Sequence, residues 1–156
     1  MKRLITFLIT HGIAVAVGFA LGIYLLPILT APASPDQAKL EEMAQSAEFT
    51  AEFTRDLRGS DFLHWGEGTV SITDTHVVHT GRLAPGPDYM LYLVPEFVEH
   101  EDEFNPLKSQ SVSLGSIKTF DGFIVDIPAG LDISGYNSVV VWCEAFGEFI
   151  TAAKFR

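Results

Sequence analysis

From Leu4 to Leu29 the chain runs 26 residues without a formal charge, and His11 is the only readily protonated side chain in that run. Coiled as a helix rising ~1.5 Å per residue, the run would reach ~39 Å, more than the ~30 Å hydrocarbon core of a bilayer. It spans with room for tilt. Gly12, Gly18 and Gly22 suit the higher glycine use of membrane helices, and Pro27 falls in the last turn. Lys2 and Arg3 precede the run, while the first charge after it is Asp36. The positive-inside rule therefore predicts a cytoplasmic tip and a single-pass anchor in the cell membrane. The remaining chain is expected on the extracytoplasmic side, periplasmic or extracellular. A cleaved signal peptide is the competing reading, with small residues at Ala31-Pro32-Ala33. A signal h-region, however, typically has only ~7–15 residues. A buried core helix fits poorly because so many faces are apolar at once.

All 20 acidic residues lie at or after Asp36, and the stretch from Asp36 to Arg156 sets 8 bases against them, a net charge of −12. Phosphate binding depends on clustered Lys and Arg releasing counterions, so a nucleic-acid partner is excluded. The same excess opposes docking on anionic lipid headgroups. Cys143 is the only cysteine, which rules out a disulfide framework. The length allows one ordinary domain with a single packed core.

Three segments are expected: residues 1–33 as tip and membrane helix, 34–52 as a short helical stalk or linker, and 53–156 as a β domain. Ser34 can cap a helix, Pro35 suits its first position, and Gln37 stands where a capping box wants its return donor. After Gly59 the pattern changes to period two. Candidate strands are Thr69–Thr73, His76–Thr80, Tyr89–Val94, Phe123–Ile127, Ser138–Trp142 and Phe149–Lys154, with weaker ones at Val112–Leu114 and Ile117–Phe120. Gly and Pro turns separate them, as at Gly86-Pro87-Asp88 and Pro128-Ala129-Gly130. The pattern predicts an all-β domain, an antiparallel sandwich or barrel. Tyr89, Leu91 and Leu93 alternate with Met90 and Tyr92, so that strand is expected between two apolar layers. Pro95 to Pro106 holds Glu96, Glu99, Glu101, Asp102 and Glu103. It lacks the ordered ligand spacing of a calcium loop and reads as a solvated acidic loop.

Alternation puts Cys143 on the face of Val139 and Val141, with Val140 and Trp142 opposite. A lone cysteine in an oxidising compartment calls for an intermolecular partner, a ligand role or burial. Glu144 and Glu148 lie close in sequence, and nearby carboxylates disfavour a thiolate. Covalent haem attachment needs a Cys-x-x-Cys-His motif that one cysteine cannot supply. All five histidines precede Cys143 and no Met follows it, which leaves no short copper-ligand loop after the cysteine. Non-covalent haem through a thiolate stays open, with His64, His76, His79 or His100 opposite, although the spacing does not support it. His76 and His79 sit three apart on a strand and face opposite sides, so they read as edge or surface residues rather than joint metal ligands. His64-Trp65, before a glycine turn, reads as a hydrogen-bonded packing pair. No Gly-x-Ser-x-Gly elbow, His-Glu-x-x-His pair or phosphate loop is present, which gives an ordinary enzyme no foothold.

Several segments now fall into a recognisable order: Gly66-Glu67-Gly68-Thr69-Val70-Ser71-Ile72, Gly86-Pro87-Asp88-Tyr89-Met90-Leu91-Tyr92-Leu93, Leu114-Gly115-Ser116-Ile117, Ile127-Pro128, and Tyr136 through Phe146 with its Ser-Val-Val-Val-Trp-Cys core. From roughly Phe53 to Phe155 the chain resembles the DM-thirteen domain, an extracytoplasmic module found alone in bacteria and beside DOMON domains in animal proteins. The resemblance implies a β-rich fold and a part in electron transfer or redox chemistry centred on Cys143, with a redox protein as partner. Similar sequences often place a basic residue just after the cysteine, where Glu144 and Ala145 stand here. The acidic stretch is also longer than the usual connection. The two function classes to separate are an accessory redox module acting through Cys143, as thiol or cofactor ligand, and a non-enzymatic binding or assembly module in which Cys143 only packs.

Overall fold

The uncharged run forms α1 (Lys2–Thr30), a helix with no buried residue, in a computed structural model that describes residues 1–156. Its few polar side chains satisfy themselves along the helix: the hydroxyls of Thr6, Thr10 and Thr30 donate to the carbonyls of Lys2, Phe7 and Leu26. His11 Nδ1 lies 2.8 Å from the Phe7 carbonyl. A helix in hydrocarbon needs this self-sufficiency, because no water is there to pair its polar groups. α1 is long and apolar enough to cross a membrane.

Six residues, Ala31 to Asp36, lead from α1 to α2 (Gln37–Ala44). Asp36 rather than Ser34 caps α2, its carboxylate accepting the Lys39 N–H at 2.8 Å. Leu40 is 2% exposed and fills the space that a Cβ on Gly122 would need. The segment read as a stalk therefore lies against the domain. Leu40 is the one buried residue of α2 and makes that contact.

The strands are β1 (Phe49–Phe53), β2 (Gly66–Ile72), β3 (His76–Leu83), β4 (Tyr89–Val94), β5 (Val112–Ile117), β6 (Phe123–Asp126), β7 (Ser138–Cys143) and β8 (Glu148–Lys154), with a short helix α3 (Glu101–Leu107) between β4 and β5. They form two four-stranded sheets in the orders β1-β2-β3-β6 and β5-β4-β7-β8, every neighbouring pair antiparallel. The fold is a β-sandwich, as the alternation and turns required. β1 begins inside the segment expected as stalk, where Phe49, Ala51 and Phe53 alternate toward the core. The weak candidate Ile117–Phe120 is not a strand; β5 ends at Ile117.

Between the sheets lie Val70, Ile72, Val77, Phe123 and Val125 from one side and Leu91, Leu93, Val139, Val141 and Ile150 from the other. A second apolar layer forms on the outer face of β4-β7-β8, from Tyr92, Val140, Trp142, Phe149 and Ala152. α3 covers it, driving Phe104 against Trp142 at 4.8 Å between ring centroids. The stretch expected as a solvated acidic loop is thus partly a helix with a buried anchor. Glu101, Asp102 and Glu103 occupy its first turn, where negative charge complements the helix dipole, and His100 caps it. Arg58 pairs with Asp102 and with Glu103, tying the β1–β2 connection to this helix.

Candidate functional site

β7 ends at Cys143, and the chain reverses through Glu144–Gly147 into β8. Gly147 takes φ +67°, and its N–H donates to the Cys143 carbonyl at 2.9 Å. On the neighbouring strand, Tyr89 stands directly opposite Cys143 in the β4/β7 register. Both side chains point into the inter-sheet core, as period two dictates for Cys143 beside Val139 and Val141.

The turn before β4 encloses the sulfur. Asp88 is the one non-glycine residue at positive φ, 54°, a conformation that Asp tolerates better than most. This turn aims the Pro87 carbonyl at Cys143, whose Sγ–H donates to it at 3.0 Å. The Asp88 carbonyl accepts the Glu144 N–H at 3.0 Å, lacing the turn to the β7–β8 hairpin. Gly86 is required here because the Tyr89 hydroxyl occupies the place of its missing Cβ.

Cys143 is 3% exposed. Burial pushes its thiol up, hydrogen bonds from the N–H groups of Phe146 and Ala145 pull it down by less, and the Asp88 and Glu148 carboxylates push it up again. The net direction is upward. Tyr89 is likewise raised, first by burial and then by the charge a Cys143 thiolate would carry. The site holds two neutral, protonated groups side by side.

Glu144 takes no part in suppressing the thiolate, contrary to the expectation from sequence proximity. It faces the opposite side of the sheet, where its carboxylate accepts from Lys108 Nζ at 2.7 Å and from the Tyr92 hydroxyl. Burial works against its ionisation, yet Lys108 and Tyr92 together hold it below the ordinary glutamate range. The Tyr92 phenol is pushed up to about 12, by burial and then by its bond to Glu144. Lys108 Nζ also lies 5.2 Å from the Trp142 ring centre, and the buried Trp142 Nε1 has no hydrogen-bond partner. A basic residue does stand beside the cysteine hairpin, supplied through space from α3's end rather than by the next position in the chain.

The histidines separate. His64 lines the same cleft as Cys143, its Nδ1 3.1 Å from Asp61. Its neighbour Trp65 lies under the Arg55 guanidinium, 3.4 Å from the ring centre. His76 is at the far end of β3, with Nε2 3.3 Å from Asp126, and His100 caps α3. His79 is fully buried between Phe53 and Phe123 rather than at an edge or surface, with Nε2 donating to the Glu67 carbonyl at 3.0 Å and Nδ1 unpartnered. Sequence did place it opposite His76; it could not show that the inner face was fully covered there. No three His, Cys, Asp or Glu side chains converge as a metal-binding group.

A cleft of about 500 Å³ opens beside Cys143, lined by Tyr89, Leu63, His64 and Phe146 on the domain and by Ala20, Leu21, Ile23 and Tyr24 on α1. Tyr89, Asp88 and Phe146 were readable in the sequence only as core and turn residues. The strand register is what brings them to the sulfur.

A family model described as Electron transfer DM13 matches residues 52–155 of the 156-residue chain. No curated protein and no solved structure matches it.

Proposed function

The chain belongs to the electron-transfer DM13 family, and from that premise we propose that it is a membrane-anchored redox module acting through Cys143. Its β domain stands on the extracytoplasmic side and exchanges electrons with a redox protein partner. The observation that carries this reading is the enclosure of Cys143 Sγ: a protonated thiol donating to the Pro87 carbonyl, beside Tyr89, at a strand end that opens into a cleft. The side of the membrane rests on Lys2 and Arg3 before the helix and on the lack of any Lys or Arg from Ala31 to Ala38 after it.

In the thiol form of this chemistry the Sγ–H bond breaks, one electron passes to a strongly oxidising partner protein, the proton leaves to water, and a neutral thiyl radical stays on Sγ. The reverse restores the thiol. Because burial disfavours the thiolate, proton and electron leave together rather than through a pre-formed anion. A second form, in which Cys143 ligates a prosthetic group, is decided by the same experiment.

That experiment is an absorbance spectrum of the chain purified from its own membrane, with titration of the thiol by graded oxidants alongside. A bound chromophore, or a thiol oxidised and re-reduced reversibly, supports the reading. A colourless protein whose thiol resists mild oxidants ends it. That outcome favours the alternative of a binding or assembly module, which the 3% exposure of Cys143 supports.

A further inference from the structure

Outside α1, the exposed large apolar side chains are Phe62, Leu63, Phe97 and Phe146. Three of the four belong to one end of the sandwich. Leu63 and Phe146 line the cleft at Cys143, and Phe62, next in the chain to Leu63, is 90% exposed. Phe146 is 53% exposed at the tip of the β7–β8 hairpin, where a soluble turn would carry a polar residue.

The chain enters the domain at this same end. Ala31 and Pro32, just past α1, line a second cleft together with Lys118, Phe120, Tyr89 and Phe146. From there α2 runs with Leu40 packed at Gly122, and β1 starts at the opposite end, with Phe49 paired to Ile72. The six residues between α1 and α2 span at most ~22 Å when fully extended. α1 itself walls both clefts, from Gly18 to Thr30, so the end bearing Leu63 and Phe146 lies beside the C-terminal half of the helix, around Ala20–Tyr24. That level is one hydrocarbon thickness (~30 Å) from Leu4 along the helix. The β2–β3 turn at Asp74 lies at the far end.

We propose that this end of the sandwich docks on the lipid bilayer, with Phe62, Leu63 and Phe146 inserted in the interface around the mouth of the Cys143 cleft. The proposal rests on the reading of α1 as a membrane anchor. Insertion of aromatic and leucine side chains draws on apolar burial, so it operates on zwitterionic lipid and does not call on a basic surface, which 8 bases against 20 acids do not provide. It sets the Cys143 cleft at the lipid boundary, open to electron carriers that approach through or along the membrane.

The full chain in phosphatidylcholine nanodiscs provides the test. In a Cys143→Ser background, Phe62→Cys, Phe146→Cys and the distal Asp74→Cys are each labelled with an environment-sensitive fluorophore, and nitroxide-bearing lipids are added as quenchers. All three sites are exposed, so the fold tolerates the labels, and circular dichroism checks each variant. Quenching at positions 62 and 146 at least about threefold stronger than at 74 is expected, unchanged by salt. Equal quenching at all three positions would overturn the docked end while leaving the anchor intact. Release of the chain from membranes by alkaline carbonate would overturn the anchor itself, and the docked end with it.

Discussion

Lys108 reaches across from the end of the α3 segment to within 2.7 Å of Glu144, the residue that directly follows Cys143. Glu144 is thereby neutralised on the outer face of the sheet, while Cys143 faces inward. Adjacency in sequence and proximity in charge are separate here.

It follows that the carboxylates governing the thiol are Asp88 and Glu148. Glu148→Gln or Asp88→Asn should lower the thiol's pKa and speed alkylation at pH 8 by about two- to fourfold each. Asn also tolerates the left-handed backbone at position 88. Glu144→Gln should leave the alkylation rate within about 1.5-fold of the parent. Rates of iodoacetamide modification against pH check all three.

His79 predicts a pH-dependent stability. Burial pushes its imidazole down from 6.5 to about 4. A folded-state pKa below the unfolded one means that the unfolded chain takes up the proton first. The contribution is therefore complete above pH 6.5 and is lost as pH falls toward 4, amounting to about 3 kcal/mol. Denaturant melts of the protein between pH 7.5 and 4 should show that slope, and His79→Phe should flatten it.

Phe104 anchors α3 with no exposed surface, against Trp142 and Tyr92. Phe104→Ala should cost about 3–5 kcal/mol if the sheet beneath cannot collapse. The loss should come with increased hydrogen exchange in residues 101–110, measured by mass spectrometry. Glu101→Gln should cost under about 1 kcal/mol, since its tie to the Phe149 N–H can be kept by the amide oxygen.

Cys143→Ala removes a small buried side chain and one sulfur hydrogen bond, so a stability loss of about 1–2 kcal/mol is expected. The folded domain should persist. On the proposed redox reading, electron exchange with a partner protein should disappear. Retained exchange in a folded Cys143→Ala protein would assign the cysteine to packing alone.

Much of the fold could be read from alternation and turns. β4 lay where its apolar residues alternate, and β7 carried Cys143 on the inward face, because side-chain direction in a strand depends only on parity. α3 was hidden by its own charge: five acids in twelve residues outweigh one phenylalanine in any local count, and only the sheet beneath reveals that Phe104 is an anchor. β1 was hidden because Phe49, Ala51 and Phe53 sit close after a helix and lack a turn signal of their own. The surroundings of Cys143 were the least legible. Pro87, Tyr89 and Asp88 lie more than fifty positions away along the chain, and they meet the sulfur only through strand pairing, which no local pattern encodes.

On the proposed reading of α1 as a membrane anchor, the six-residue tether would turn partner finding into a problem of two dimensions. A carrier confined to the same membrane shares a thin slab with the β domain, so each passage brings repeated collisions at raised effective concentration. A freely diffusing carrier enjoys no such advantage. The length of this leash thus favours neighbours over visitors.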